Sequence, residues 1–149
     1  MDAIKFLLQE HKKVRRALTS INQKSKGQET KKRMFKNLCQ DILRHETMEE
    51  KVWYPYLKKN LKLKKTINHL ISEENVAEKE IKKIKKVKED AEWNKKFLKF
   101  KKAVLHHAAE EEKKLFPKVK NALETKELTE LGKKMQIFKK KWLAKKKYN

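Results

Sequence analysis

Apolar residues along this chain recur at helical spacing, three and four positions apart, and charged residues fill the positions between them. The first such run begins after Asp2, a good N-cap residue, and extends from Ile4 to Ile21. Four helices are predicted in this way, over about 3–21, 30–59, 66–87 and 91–123. Each has one apolar stripe, so we expect the stripes to face one another in an antiparallel four-helix bundle.

A fifth amphipathic helix is predicted over about 126–147, with Thr125 as its cap. Its apolar positions are Leu128, Leu131, Met135, Phe138 and Trp142. We expect it to pack on the side of the bundle, which spans about 2–123, and the whole chain 1–149 to form one all-α domain. The alternative is a basic amphipathic helix that lies on a membrane or on a partner.

Two residues qualify the predicted helix boundaries. Pro55 lies inside the second apolar pattern, where it should kink the helix or end its regular part, because proline removes a donor and crowds the preceding turn. Asp90 is the predicted cap of the fourth helix.

Composition agrees with an all-helical fold and narrows the class of protein. Glycine and proline occur only twice each, which leaves little material for the turns of a β-rich fold. Cys39 is the only cysteine, so we expect neither an intramolecular disulfide nor a cysteine zinc cluster. No apolar run is long enough for a membrane span, and we recognise no signal peptide, so a cytoplasmic location is expected.

The formal net charge of +22 suggests acidic partners such as nucleic acid or anionic lipid. Nearly all of this charge is lysine, spread over every segment; the arginines are Arg15, Arg16, Arg33 and Arg44. Specific phosphate and base recognition tends to use arginine. We therefore expect no specific nucleic-acid binding, and a basic helical nucleic-acid-binding protein without metal remains the distant alternative.

Polar residues interrupt the apolar stripes at matching places. Residues 45–55 read HETMEEKVWYP and residues 107–117 read HAAEEEKKLFP, so one pattern occurs twice. In each copy the histidine and the first matching glutamate are one helical turn apart, about 6 Å along the axis, and can reach one metal ion. The stripes of the first and third helices add one polar residue each. The six residues predicted to point inward are His11, His45, Glu49, Glu74, His107 and Glu111.

A single histidine or glutamate on an apolar face is more often a satisfied core residue than a metal ligand. Six such residues on four helices are different, because buried charges without partners cost several kcal/mol each. No lysine lies on these stripes near them, whereas a pair of cations would balance them. Imidazole and carboxylate without thiolate suit iron, manganese or zinc. Histidine precedes glutamate by four residues here, which excludes the Glu-x-x-His arrangement of ferritin-like bundles.

The third helix offers two candidate ligands, His69 and Glu74, which cannot both face the core. Glu74 continues the apolar stripe, three residues after Ile71, whereas His69 shares its face with charged residues. His106 also lies on a charged face. We therefore predict Glu74 as the ligand, and His69 and His106 as surface residues.

These residues resemble the hemerythrin-like family, also called the HHE cation-binding domain. The likeness covers essentially the whole chain and includes EHKKV at 10–14, both repeated segments with their prolines, and LTELGKKM at 128–135. The resemblance implies a four-helix bundle around two iron ions, with manganese or zinc as possible substitutes. It also implies Glu49 and Glu111 as bridging ligands and His11, His45 and His107 as terminal ones.

The family usually has a histidine where Glu74 stands, which argues against reversible oxygen carriage. Two function classes follow from the resemblance. One is a protein that binds dioxygen, nitric oxide, peroxide or another small ligand at an open metal position. The other is a redox enzyme of oxidase or peroxidase type, or an iron storage or repair protein. Trp53, Tyr54 and Tyr56 lie near the ligands of the second helix, where we favour packing over a redox role.

Overall fold

The computed structural model describes residues 1–148, and the regular structure within that range is entirely helical. Two π-helical turns, π1 (Glu49–Trp53) and π2 (Glu111–Leu115), interrupt the second and fourth long helices. The α-helices are α1 (Ala3–Ile21), α2 (Gln28–Met48), α3 (Tyr54–Leu57), α4 (Leu61–Lys85), α5 (Asp90–Glu110), α6 (Phe116–Ala122) and α7 (Thr125–Tyr148). Four continuous rods therefore form the bundle, and the predicted all-α class is confirmed.

Local chemistry explains where the helices begin. Asp2 caps α1 as predicted, since its side chain accepts a hydrogen bond from the Lys5 amide at 2.8 Å. Asn60 caps α4 in the same way, so this helix begins five residues earlier than predicted. The predicted caps Asp90 and Thr125 are wrong, because both are already the first helical residues of α5 and α7.

The two prolines explain the π-helical turns. In π1 the Tyr54 amide donates to the Glu49 carbonyl, and in π2 the Phe116 amide donates to the Glu111 carbonyl. A proline ring crowds the carbonyl four residues before it, and a wider turn gives the ring room. Pro55 was predicted to kink the helix or end its regular part; the regular α-helix ends at Met48, before the π-turn, and α-helix resumes at Tyr54 and contains the proline.

The core consists of two apolar clusters at different levels of the bundle. α1 packs against α2 and α5, and α4 packs against α5. One cluster gathers around Leu7, Trp53 and Leu115, and the other around Leu18, Phe35 and Phe100. The inward polar residues of the sequence lie between these two clusters, so apolar packing closes the polar layer from both ends.

The C-terminal helix α7 packs on the bundle against α1 and α2. It buries Leu128, Leu131 and Met135, as its apolar stripe predicted. Gly132 allows the close approach, since a Cβ there would lie 2.2 Å from the Met1 carbonyl oxygen. Among the residues that the structure describes, we find no helix with the length and apolar character to cross a membrane.

Candidate metal centre

The six inward residues predicted from the sequence meet in the layer between the two apolar clusters. They form three close pairs between an imidazole Nε2 and a carboxylate Oε1. These pairs are His11 with Glu111 at 3.2 Å, His45 with Glu49 at 3.2 Å, and His107 with Glu74 at 3.3 Å. Four separate rods contribute, so the layer exists only in the folded bundle.

Two overlapping groups of donor atoms lie within this layer. Ligand atoms of His11, His45 and Glu111 all lie within 4.8 Å of one another, and so do those of Glu49, His107 and Glu111. Glu111 belongs to both groups and Glu49 also contacts His45, so both carboxylates lie between two possible ion positions. Glu74 extends the second group through its contact with His107.

The donor atoms fit bound cations better than a network of hydrogen bonds. Two donors at about 2.1 Å from one ion and at right angles lie about 3 Å apart, close to the distances of the three pairs. Glu49 is fully buried, yet neither of its carboxylate oxygens has a hydrogen-bond partner within residues 1–148. His107 Nε2 and Glu111 Oε1 are likewise without partners in that range. Buried polar atoms of this kind are costly unless a cation satisfies them.

A second carboxylate faces the outer nitrogen of each histidine. The Nδ1 contacts are His11 with Glu112 Oε2 at 2.7 Å, His107 with Glu73 Oε1 at 3.5 Å, and His45 with Glu10 Oε1 at 3.8 Å. Only the His11 contact is a hydrogen bond, since His45 Nδ1 and His107 Nδ1 have no hydrogen-bond partner within residues 1–148. An outer carboxylate that hydrogen-bonds a metal-bound imidazole orients it and increases its basicity. Each imidazole therefore directs Nε2 towards the centre and Nδ1 towards an acid.

Sequence reasoning missed these outer acids. Glu73 was placed on the charged face of its helix, but its side chain is only 13% exposed and contacts both His106 and His107. One signal was available: Glu10, Glu73 and Glu112 are each the direct neighbour of a residue predicted to point inward. A neighbouring residue is turned by about 100° on its own helix, which directs it towards the adjacent helix.

Comparison with known proteins agrees with this geometry. Residues 2–119 match the model of the hemerythrin HHE cation binding domain. The chain belongs to this family. The comparisons found no matching curated protein and no matching solved structure. Membership of the HHE family indicates a metal-binding helical protein, in line with the histidine and glutamate groups described above.

The two halves of this HHE domain differ in a matched way. His11 in the first half corresponds to Glu74 in the second, and Phe116 corresponds to Tyr54. Phe116 stacks on the His11 ring, with centroids 6.0 Å apart. Tyr54 instead places its hydroxyl 3.2 Å from Glu74 and donates to Glu111 at 2.8 Å. Each aromatic residue thus contacts the other half: the hydroxyl of Tyr54, from the first half, lies beside Glu74, and the apolar ring of Phe116, from the second half, lies on His11.

The surface histidines stay outside the layer. His69 is 56% exposed and His106 is 62% exposed, as the charged faces of their helices predicted. Both contact the outer carboxylate of Glu73, at 3.7 Å and 2.6 Å. Glu74, in contrast, is buried and contacts His107.

The combined effects of burial and neighbouring charges raise the pKa values of Glu49 and His107 in this layer. Burial, together with the charges of Glu111 and Glu74, raises the pKa of Glu49 well above its usual range. Burial lowers the pKa of His107, but contacts with Glu73 and Glu74 outweigh that effect and raise it to about 10. Cations that bind here must displace such protons, as metal ions do at imidazole and carboxylate sites.

A cavity opens from the layer towards the second apolar cluster. Its volume is about 40 Å³, which leaves room only for a very small molecule. Half of the twelve residues on its wall are polar or charged, and Glu46 is one that sequence reasoning missed; burial and then the charge of Glu74 raise the pKa of Glu46 to about 9. Its apolar wall consists of Val14, Ile42, Ala77, Val104, Leu105 and Ala108. This cavity suits a small, weakly polar ligand beside the imidazoles.

Proposed function

We propose that this protein holds two iron ions and binds, or reacts with, dioxygen or a related small ligand such as nitric oxide or peroxide. Glu49 and Glu111 would bridge the two ions. The terminal ligands would be His11, His45, His107 and Glu74. Manganese or zinc would satisfy the same oxygen and nitrogen donors.

The observation that carries this proposal is the buried carboxylate of Glu49. Within the described chain it has no hydrogen-bond donor, although it lies beside Glu111, Glu74 and the imidazole of His45. An unpaired carboxylate among other carboxylates costs several kcal/mol, and a cation between them removes that cost. Family membership supports the cation and favours iron, and the donor set suits iron, manganese or zinc.

Iron in this layer would supply an open coordination position and electrons to a small ligand. The chain's own residues then determine what reaches it. Val14, Ile42 and Val104 restrict the cavity and exclude bulk water. Outer acids hold the imidazoles in one orientation, and the Tyr54 hydroxyl holds Glu111 and Glu74. We propose a cytoplasmic protein whose partner is the small ligand, with no specific nucleic-acid partner.

Iron loading tests the proposal directly. Metal-free protein is reconstituted with ferrous iron without oxygen, exposed to air, and analysed for iron content and visible absorption. We expect about two ions per chain and a new ferric absorption band. Glu49→Gln, which keeps the shape of the side chain, should bind markedly less iron. Failure of the folded wild-type chain to bind iron, manganese or zinc would refute the metal pair.

A redox enzyme is the second candidate function, and Glu74 is the observation that favours it. A carboxylate in place of an imidazole makes the layer more negative by one charge, which favours the higher oxidation state of a bound metal. We therefore expect ferrous iron bound here to be oxidised to a ferric resting state by dioxygen or peroxide, which would be reduced in turn, rather than releasing dioxygen unchanged. Removal of oxygen from the air-exposed protein distinguishes the two: return of the ferrous spectrum indicates carriage, and a persistent ferric spectrum indicates onward reaction.

A further inference from the structure

Glu10 is a buried acid that two cations from different helices approach. It is 5% exposed, and its Oε2 lies 2.9 Å from the Nζ of Lys139 on α7. Its Oε1 lies 3.7 Å from Arg44 and 3.8 Å from His45 Nδ1. Glu10 is therefore the outer acid of His45, and a lysine of the C-terminal helix binds its other oxygen.

Lys139 differs from the other lysines of its segment. Its side chain is 20% exposed, and its ammonium lies 5.8 Å from the centre of the Phe6 ring as well as on Glu10. Lys140 and Lys141, the next two residues, are both exposed. Docking of α7 through Met135 and Gly132, on the preceding turns, places Lys139 at this position.

This contact links α7 to the layer of inward residues. The family match ends at residue 119, before α7 begins at Thr125. The other two outer acids, Glu73 and Glu112, lie on the bundle rods themselves. Among the three outer acids, Glu10 alone has a hydrogen bond from α7 within the described range.

We propose that α7 contributes to the metal centre. Lys139 positions Glu10 beside His45 Nδ1 and so slows release of the ion bound by His11 and His45. This inference rests on the proposed metal pair. Lys139 is a positioning residue, because it acts through Glu10 and touches no ligand atom. Loss of an outer partner typically weakens metal binding by 10- to 100-fold. Lys139 is one contact further out than Glu10, so we expect the lower end of that range.

Cobalt(II) provides the test, because its visible absorption reports both its release and its ligand geometry. The full-length chain is loaded with cobalt(II), mixed with excess chelator, and followed by its absorption. Lys139→Met should release one of the two ions about tenfold faster than wild type, with a shifted band, and leave the release rate of the other unchanged. Lys139→Arg, which keeps the charge, should restore the wild-type rate. Lys140→Met is the matched control on the same helix and should leave the rate unchanged.

Two further variants test whether Lys139 depends on the docking of α7 and whether it acts through Glu10. Gly132→Ala displaces α7 without altering any residue of the centre, so it should accelerate cobalt release as Lys139→Met does. Glu10→Gln should accelerate release more strongly, and adding Lys139→Met to it should have little further effect, because Lys139 acts through Glu10. Additive effects of the two substitutions would overturn the inference.

The outcomes separate this inference from the proposed function. If wild type binds no cobalt(II), iron or zinc, the metal pair itself fails and the role of Lys139 fails with it. If wild type binds cobalt(II) but Lys139→Met and Lys140→Met release it at the same rate, only the role of α7 is overturned. Circular dichroism of each variant identifies any that has lost the helical fold, and the Lys139→Arg rescue then decides the question.

Discussion

Replacement of Glu74 by glutamine should remove one of the two ions and leave the other. Glu74 lies on the side of the layer that contains His107, 3.3 Å from its Nε2, whereas His11 and His45 belong to the other group of donors. Glutamine keeps the shape and an acceptor for the Tyr54 hydroxyl but removes the negative charge. The loss is therefore electrostatic and confined to one ion position.

The magnitude follows from burial. Glu74 is 3% exposed, and loss of one partner of a fully buried charged contact typically costs about 3–5 kcal/mol. Each 1.4 kcal/mol is a factor of about ten in affinity, so the ion near His107 should bind roughly two to three and a half orders of magnitude more weakly. His69→Ala is the matched control on the same helix. Its exposed contact with Glu73 predicts at most about a fivefold change.

Competition with a coloured chelator measures both binding steps in one titration with cobalt(II) or ferrous iron. We expect Glu74→Gln to keep the tighter step within about threefold and to lose the weaker one, while His69→Ala follows wild type. If His69→Ala removes an ion and Glu74→Gln does not, the third-helix ligand is His69. If Glu74→Gln weakens both steps equally, the assignment of Glu74 to one position is wrong.

Three other expectations follow. Removing metal with a chelator should lower the melting temperature, since free metal at 100 times its dissociation constant stabilises the fold by about 2.7 kcal/mol per ion; an unchanged melting temperature after confirmed metal loss would contradict a core site. Burial raises the pKa of Cys39 to about 12, so at pH 8 its reaction with a thiol reagent should be about 50-fold slower in the folded chain than in guanidinium. The contribution of this buried thiol to the free energy of unfolding is fully present below the unfolded pKa, near 8.5, and falls as pH rises towards 12. Equal rates of reaction in the folded and unfolded chain would refute the burial of Cys39. The net charge of +22 should give nucleic-acid binding that weakens by about three orders of magnitude between 50 and 200 mM salt, as a salt titration can measure; sequence preference that persists at high salt would contradict it.

Helical periodicity was sufficient to predict the layer itself. An apolar stripe positions every residue on one face, so a histidine or glutamate within the stripe faces the core whatever its chemistry. Glu74 and His69 illustrate this, because their places on the stripe and the charged face match their burial and exposure in the fold. Whether the six inward residues bind metal remains a prediction.

Periodicity failed where the helix changes its pitch. Regular helical spacing from Glu49 places Val52 and Tyr56 on the core face, but the fold buries Trp53, Tyr54 and Leu57 instead. The π1 turn inserts an extra residue before α3, so the buried face moves forward by one position. Regular spacing cannot anticipate that shift, and for this reason the contact of Tyr54 with Glu111 was not predicted.

Contacts between helices also could not be predicted from the sequence. Each outer acid contacts a histidine on another rod, and this pairing depends on which rods are neighbours and on the level of each residue along its rod; the acids are Glu10, Glu73 and Glu112. Composition could not indicate Lys139 among so many lysines, because only the docking of α7 separates it from Lys140. Tertiary arrangement therefore supplies the outer partners.

The π-helical turns give each repeated segment one residue more than an ordinary α-helix would need. Lys51 and Lys113 are exposed residues within π1 and π2, and substitution of either should be tolerated. Deletion of either would remove the extra residue, and an ordinary α-turn would then present the same side chains beyond it to the core. Tyr54 would stay beside Glu111, and Phe116 would stay beside His11. A deletion between a histidine and its glutamate would instead break the spacing of one helical turn, so these segments should differ in how they tolerate a shorter chain.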